Sequence, residues 1–322
     1  MLDDPKNFIA GSLAGFTVRF LTQPFDVLKI RFQLQVEPIK RTSPSYYSGL
    51  SQALLRIHKE EGWTAFWKGH VPGQLLSMLF CGVEFAVFYG LTHPAISPPS
   101  SFALPSIDRD LFFGMIAGSA ATICCQPLDV MRTRLVAQGR QKVYPGFLKG
   151  CARLIREEGV LALWRGLGPS CMLIAPQTAV TFAVFEKLRR FYQTSTRDQQ
   201  SATAQPIPHH VSLLFGCISG LLAKTTVYPL DLVKKRLAVR GFETARKQFG
   251  RLPEAYTAPS YKQPLAHTGK TQLCATWSCL CDIVRHEGFL GLFKGWTPSA
   301  LKAGLSTGLT FFFFQFYSQT LF

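Results

Sequence analysis

The sequence predicts an all-α membrane protein of six transmembrane helices in three tandem two-helix repeats with threefold pseudo-symmetry. Three observations carry this. The 322-residue chain is 47% hydrophobic and 13% aromatic, a composition more suited to lipid than to two soluble domains. One unit recurs three times, as PFDVLKIR (Pro24–Arg31), PLDVMRTR (Pro127–Arg134) and PLDLVKKR (Pro229–Arg236). Six apolar stretches alternate with these units, each near the ~20 residues that a spanning helix requires.

The repeat is internally consistent. Each proline unit is followed by a second motif, EGWTAFWKG from Glu61, EGVLALWRG from Glu158 and EGFLGLFKG from Glu287. Upstream, the pairs Gly11/Gly15, Gly114/Gly118 and Gly216/Gly220 place their second glycine nine residues before each proline. Such pairs suit close helix approach in lipid. A fixed period is read before any local feature, and it divides the chain into repeats 1–100, 106–200 and 206–322. The expected spans are Phe8–Phe25, Val71–Leu91, Leu111–Leu128, Leu167–Phe185, Val211–Leu230 and Trp296–Phe316. Prolines inside them, such as Pro24 and Pro176, are compatible with membrane helices when neighbours satisfy the freed carbonyls.

Charge orients the spans. Segments 29–68, 132–165 and 234–294 hold 26 of the 35 Lys and Arg residues, so these three long loops are expected on the interior side and both termini on the other. No cleavable signal or Arg-rich transit peptide is readable at the N-terminus. The third loop is longer and broken by Pro253, Pro259 and Pro264, which reads as an insertion without a fold of its own. A net charge of +16 favours small anions and anionic lipid as partners; apolar spans with few aromatic-basic clusters argue against nucleic acid. The nine cysteines and His209-His210 lack metal-ligand spacing and are expected to hold no metal. No nucleophile-base-acid set or phosphate-cradling loop points to an enzyme, and no cofactor is expected.

The repeated acids and bases admit two readings. Asp26 and Lys29 could form a local i, i+3 pair worth a few tenths of a kcal/mol. Under threefold symmetry, Asp26, Asp129 and Asp231 instead share one depth with Lys29, Arg132 and Lys234. Each acid then reaches a neighbour's base, Asp26 with Arg132, Asp129 with Lys234 and Asp231 with Lys29, closing one end of a central cavity. As exposed pairs, three such contacts form a latch of at most ~1 kcal/mol each. Seven residues before each acid, on nearly the same helical face, stand Arg19, Thr122 and Lys224. Two of these are cations at membrane depth, where a charge marks function.

Motifs of this form, three times over essentially the whole chain, are similar to those of the mitochondrial carrier family. The resemblance implies the carrier fold in the mitochondrial inner membrane, both termini toward the intermembrane space, and alternating access at one central site. It implies a matrix gate of Asp26, Lys29, Asp129, Arg132, Asp231 and Lys234, with the neighbour pairing described. The family's bracing glutamine is replaced here by Ile30, Thr133 and Lys235. The cytoplasmic gate motif is complete only at FEKLR, with Glu186 and Arg189, so that gate is expected to be the weaker. Trp67-Lys68-Gly69, Trp164-Arg165-Gly166 and Phe293-Lys294-Gly295 resemble cardiolipin-binding turns, with Tyr47-Ser48-Gly49 and Tyr144-Pro145-Gly146 opposite; the competing reading is basic residues snorkelling to headgroups.

The family's substrate contact points fall on Leu76, Leu173 with Ile174, and Lys302, with Glu84 the one candidate acid higher in the cavity. A ligand answered by Arg19, Lys224 and Lys302, an apolar wall and Glu84 would carry several negative charges, an aromatic or aliphatic body and one positive centre. The three bases could alternatively set a positive field without touching substrate, and Glu84 could pair with a neighbouring base. PFDVLKIRFQLQ (Pro24–Gln35), FWKGHVP (Phe66–Pro72), GFETARKQFG (Gly241–Gly250) and LKAGLSTG (Leu301–Gly308) are similar to the animal branch of the family that carries thiamine pyrophosphate. That implies thiamine pyrophosphate as substrate, in exchange for nucleotides or other phosphorylated anions. A nucleotide or deoxynucleotide carrier is the alternative, because such a ligand would satisfy most of the same cavity. The expected assembly is a monomer.

Overall fold

The computed structural model describes residues 5–36, 46–93, 106–139, 143–197, 209–240 and 272–320. The expected third-loop insertion, with Pro253, Pro259 and Pro264, lies outside the described residues. The regular structure of the described residues is all helical, without strands. Six long helices, α1 (Pro5–Leu34), α3 (His70–Thr92), α4 (Ser106–Ala137), α6 (Leu167–Arg197), α7 (His209–Ala238) and α9 (Trp296–Thr320), alternate with three short ones, α2 (Leu50–Glu61), α5 (Phe147–Glu158) and α8 (Gln272–Glu287). Each repeat is thus long, short, long.

The long helices close a ring in which α3 packs on α4, α6 on α7 and α9 on α1, so the tightest seams lie between repeats. At the proline ends α1, α4 and α7 also meet one another. Among the described residues, Trp63–Thr92, Val160–Thr194 and Val211–Ala238 are long and apolar enough by composition to cross a membrane. The remaining three long helices are diluted by buried charges near their prolines or, in α9, by Gly, Ser and Thr. Large apolar side chains such as Met78, Phe85, Phe182 and Phe312 are exposed along the long helices, as lipid-facing surfaces require.

The short helices are held by three equivalent apolar clusters. Leu28, Ile57 and Phe66 pack together in the first repeat, Met131, Leu154 and Leu163 in the second, and Val233, Ile283 and Leu292 in the third. Burial of each such side chain contributes roughly 1.5–3 kcal/mol. A fourth cluster, including Val27, Ile30, Leu135, Val136 and Val239, packs α1, α4 and α7 together just past the acids of the proline motifs.

The second motif is explained by the turn it makes. Its first glycine (Gly62, Gly159, Gly288) ends the short helix at positive φ and donates its N–H to His58, Ile155 or Val284, a glycine-dependent helix stop. One 3₁₀ turn follows, then the last glycine of the motif (Gly69, Gly166, Gly295), again at positive φ. At Gly166 an added Cβ would stand 2.9 Å from the Lys234 carbonyl oxygen, so glycine is required both by conformation and by the approach of the next repeat.

Proline placement is also accounted for. Pro127 removes the donor for the Ile123 carbonyl, and the Trp164 indole N–H supplies one at 3.1 Å. In the third repeat Trp296 Nε1 donates to Thr225 Oγ1 at 3.0 Å, four residues before Pro229. The glycine pairs behave differently from expectation. An added Cβ at Gly15, Gly114, Gly216 or Gly220 would meet nothing within 4 Å, and only Gly11 and Gly118 come near another helix. The seams are therefore not drawn together by backbone contact at those glycines in this conformation.

Candidate functional site

The acids of the three proline motifs are drawn into one ring of ion pairs where α1, α4 and α7 meet. Asp26 on α1 accepts from Arg132 Nη2 on α4 at 2.5 Å. Asp129 on α4 accepts from Lys234 Nζ on α7 at 3.0 Å, and Asp231 on α7 from Lys29 Nζ on α1 at 2.6 Å. Every pair joins neighbouring repeats; none is the local i, i+3 pair. Asp26 and Asp129 are buried. The exposed-pair energy expected from sequence therefore does not apply, because desolvation opposes the Coulombic gain and loss of one partner strands a buried charge.

Three further side chains enter the ring and break its symmetry. Lys302 of α9 donates to both oxygens of Asp26 at 2.7 Å. Lys235 donates to Asp129 at 2.6 Å and to Thr133 Oγ1 at 3.2 Å. Gln33 Nε2 donates to Asp231 at 3.1 Å. The sequence read Lys235 as a missing brace; it is a second cation on the same acid. Its signal was present in the doubled base of PLDLVKKR.

Below the ring, the glutamate of each second motif meets the last arginine of the proline motif of its own repeat. Arg31 grips Glu61 at 2.7 and 2.8 Å, Arg134 grips Glu158 at 2.6 and 3.0 Å, and Arg236 grips Glu287 through both nitrogens, the fork geometry suited to arginine. These contacts were missed, although an acid and a base each recurring three times without an assigned partner pointed to them. Burial pushes the Glu61 and Glu158 carboxyls up, but the hydrogen bonds and charge of the arginines, with Lys68 and Arg165, hold both below the usual carboxylate range.

Lys68, Arg165 and Lys294, expected at lipid headgroups, turn inward. Each pairs with the same Glu61, Glu158 or Glu287. Each also caps the chain just past the first helix of the next repeat: Lys68 on the Gln138 and Gly139 carbonyls, Arg165 on that of Arg240, Lys294 on those of Gln35 and Val36. Cations there satisfy orphan carbonyls and the helix dipole. The residue before each proline, also missed, ties the same turn: Gln23, Gln126 and Tyr228 donate to the carbonyls of Lys68, Arg165 and Lys294. Trp164 is committed to Ile123, Phe293 stacks on Tyr228, and Trp67 packs against Phe20. A cleft of about 650 Å³ nevertheless has Trp67, Lys68 and Gly69 on one wall and Tyr144, Pro145 and Gly146 on the other.

Above the ring, Arg19 and Lys302 line a cleft of about 460 Å³ between α1, α3 and α9, together with Thr22, Gln74 and Thr310. Lys302 and Lys224 line a second cavity of about 360 Å³ at the ring itself. Arg19 and Lys224 have no carboxylate within ion-pair distance among the described residues; Arg19 Nε is buried without a partner, and Lys224 Nζ reaches only the Ser299 carbonyl at 3.3 Å. Glu84 of α3 and Ile174 of α6 flank Gly118 of α4; Glu84 makes no ion pair among the described residues, and Leu173 is half-buried beside Ile174. Thr122 is buried and returns its hydroxyl to the Gly118 carbonyl at 2.8 Å.

Glu186 and Arg189 do not join helices. They face each other 3.9 Å apart along α6, and Glu186 also accepts from Arg190. The molecule is therefore latched at the proline end, and its single charged motif at the other end is unlatched. Among the described residues no cysteine forms a disulfide, and no His/Cys/Asp/Glu cluster fit for a metal ion occurs.

The family pattern described as "Mitochondrial carrier protein" matches residues 3–93, 105–196 and 205–322. The mitochondrial thiamine pyrophosphate carrier of Homo sapiens is 39% identical over 310 residues, covering 96% of this chain and 90% of that protein. Mitochondrial thiamine pyrophosphate carrier 1 of Phaeosphaeria nodorum is 32% identical, covering 95% of this chain and 90% of its own. Mitochondrial thiamine diphosphate carrier 1 of Arabidopsis thaliana is 32% identical, covering 96% and 92%. With three matched segments laid over three structurally equivalent repeats, this chain belongs to the mitochondrial carrier family and is a membrane protein of the mitochondrion.

Proposed function

We propose that this chain moves thiamine pyrophosphate across the mitochondrial inner membrane by alternating access through its central cavity, in exchange for nucleotides or other phosphorylated anions. The observation that carries the reading is the pair of uncompensated cations, Arg19 and Lys224, with Lys302 between them. A charge at mid-membrane costs roughly 2.5–3.5 kcal/mol on insertion scales, and an anionic substrate offsets it. Leu173 and Ile174 offer an apolar wall to a pyrimidine ring, and Glu84 a counter-charge to a thiazolium. The relatives' names supply the choice of this anion among those the cavity accepts.

In this reading the Asp26/Arg132, Asp129/Lys234 and Asp231/Lys29 pairs form the matrix gate, shut here, and both termini face the intermembrane space. Glu186 and Arg189 belong to a weaker cytoplasmic gate that engages other helices only in the opposite state. The cleft between Trp67-Lys68-Gly69 and Tyr144-Pro145-Gly146 takes cardiolipin through its turn backbone, since the Lys68 charge is held by Glu61. Three repeats in one chain complete the path, so a monomer suffices, and the chain acts as a transporter rather than an enzyme. The test is uptake of labelled thiamine pyrophosphate into proteoliposomes loaded with unlabelled substrate or nucleotide. Saturable exchange supports the reading; nucleotide exchange without thiamine pyrophosphate exchange would favour a nucleotide carrier instead.

A further inference from the structure

We propose that the cavity enclosed by α1, α4, α7 and α9 at the closed gate is the subsite for the diphosphate end of the transported molecule, with the Ser299 hydroxyl as a direct ligand beside Lys224 and Lys302. This deepens the transport reading and rests on it only for the remainder of the ligand. The cavity, about 360 Å³, sets Asp26 and Asp231 against five cations, Lys29, Arg132, Lys235, Lys224 and Lys302. Lys29, Arg132 and Lys235 are committed to gate carboxylates. Lys224 is not, and Lys302 shares Asp26 with Arg132.

Ser299 supplies an independent sign. It is 1% exposed, lines this cavity, and its Oγ has no hydrogen-bond partner among the described residues. Its carbonyl is already taken by Lys224. A buried hydroxyl is ordinarily satisfied, and in a cavity with excess positive charge the missing partner is an acceptor. Ser299, Lys302 and Ser306 recur at i, i+3 and i+7, one face of α9, so two hydroxyls and an ammonium point at one volume. Tetrahedral phosphoryl oxygens match such a set of donors, whereas a ring or a lone carboxylate would leave some unused. Arg19 lines the separate α1/α3/α9 cleft, which meets this cavity at Lys302 and Ser306. The ligand's organic portion therefore extends upward from the gate, with its diphosphate downward.

Two sources share this chemistry, the tail of the transported substrate and free inorganic pyrophosphate. The experiment is isothermal titration of the purified full-length chain with inorganic pyrophosphate, alone and in the presence of thiamine pyrophosphate. Pyrophosphate is expected to bind, and thiamine pyrophosphate to displace it. Lys224→Gln and, separately, Ser299→Ala should each weaken pyrophosphate by about tenfold, the scale of one hydrogen bond to a charged group. Arg153→Gln, removing an exposed charge far from the cavity, should change it less than about twofold, the reach of a screened surface charge. No pyrophosphate binding, or binding indifferent to both cavity variants, overturns the subsite. Pyrophosphate that binds without competing with thiamine pyrophosphate overturns its assignment to the substrate tail. Pyrophosphate that binds as expected to a chain that fails to exchange thiamine pyrophosphate overturns the transport reading alone. Ser299→Ala deletes one atom, so a folded variant is expected, and an unshifted melting temperature checks it.

Discussion

Lys302 of α9 and Asp26 of α1 are joined by two contacts of 2.7 Å, so a cation that lines both central cavities is also a member of the ring of cross-repeat charge pairs. Under the proposed function, a substrate anion competes with Asp26 for one ammonium. That gives binding a differential effect on the closed and opening states, which any ligand-driven change requires.

Lys302→Ala should therefore abolish diphosphate exchange while the protein stays folded. The substrate loses a charge-assisted contact of roughly 1.5–3 kcal/mol, whereas Asp26 keeps Arg132. Exchange in proteoliposomes and a melting curve check the two halves; near-normal exchange removes Lys302 from the site.

The cross-helix pairing is tested most cleanly at Asp231 and Lys29, because Asp26 also holds Lys302 and Asp129 also holds Lys235. Asp231→Lys and Lys29→Asp should each impair exchange. The double swap should recover it, with Gln33 turning its amide to the new cation. A double variant as poor as the singles would contradict pairing across repeats.

The threefold positions were legible because period and helical geometry fix them: Asp26, Asp129 and Asp231 each pair with a base of a neighbouring repeat, and Arg19 and Lys302 line one cleft. What period alone could not supply is where symmetry fails. Lys235, Lys302 and Gln33 each brace a different acid from a different position. Nor could it supply contacts that need two motifs at once. Glu61 with Arg31, and Gln23 with the Lys68 carbonyl, join segments tens of residues apart. Ser299 was illegible because serine is unremarkable in a membrane helix until its hydroxyl is seen without a partner.

Acid should loosen the lower lattice. Glu61 and Glu158 are held below the ordinary glutamate value in the folded protein. A depressed folded pKa contributes stability that is full above the unfolded value, about 4.3, and is lost as pH falls through the folded value. The melting temperature of the detergent-solubilised protein should fall as pH drops below about 4.3. Glu158→Gln, which takes the one paired carboxylate from Arg134 and Arg165, should cost roughly 3 kcal/mol and flatten part of that decline. A profile unchanged by the substitution would contradict the assignment.

Gly166→Ala meets two obstacles, φ of +79° and the Lys234 carbonyl 2.9 Å from the new Cβ. Positive φ alone costs roughly 1–2 kcal/mol. Because Lys234 pairs with Asp129, the variant should lower both the melting temperature and the exchange rate; Gly49→Ala, where an added Cβ meets nothing within 4 Å, should lower neither. Equal behaviour of the two would remove the close approach as a cause.

The most direct measurement is a ligand-dependent melting panel of thiamine pyrophosphate, thiamine, inorganic pyrophosphate and nucleotides on the purified protein and on Lys302→Ala, since a ligand of the folded state raises its melting temperature. The wild type should be stabilised by thiamine pyrophosphate more than by thiamine, and Lys302→Ala should lose the difference. No stabilisation by thiamine pyrophosphate, or the same stabilisation in Lys302→Ala, would contradict a cavity built to hold that diphosphate against the gate.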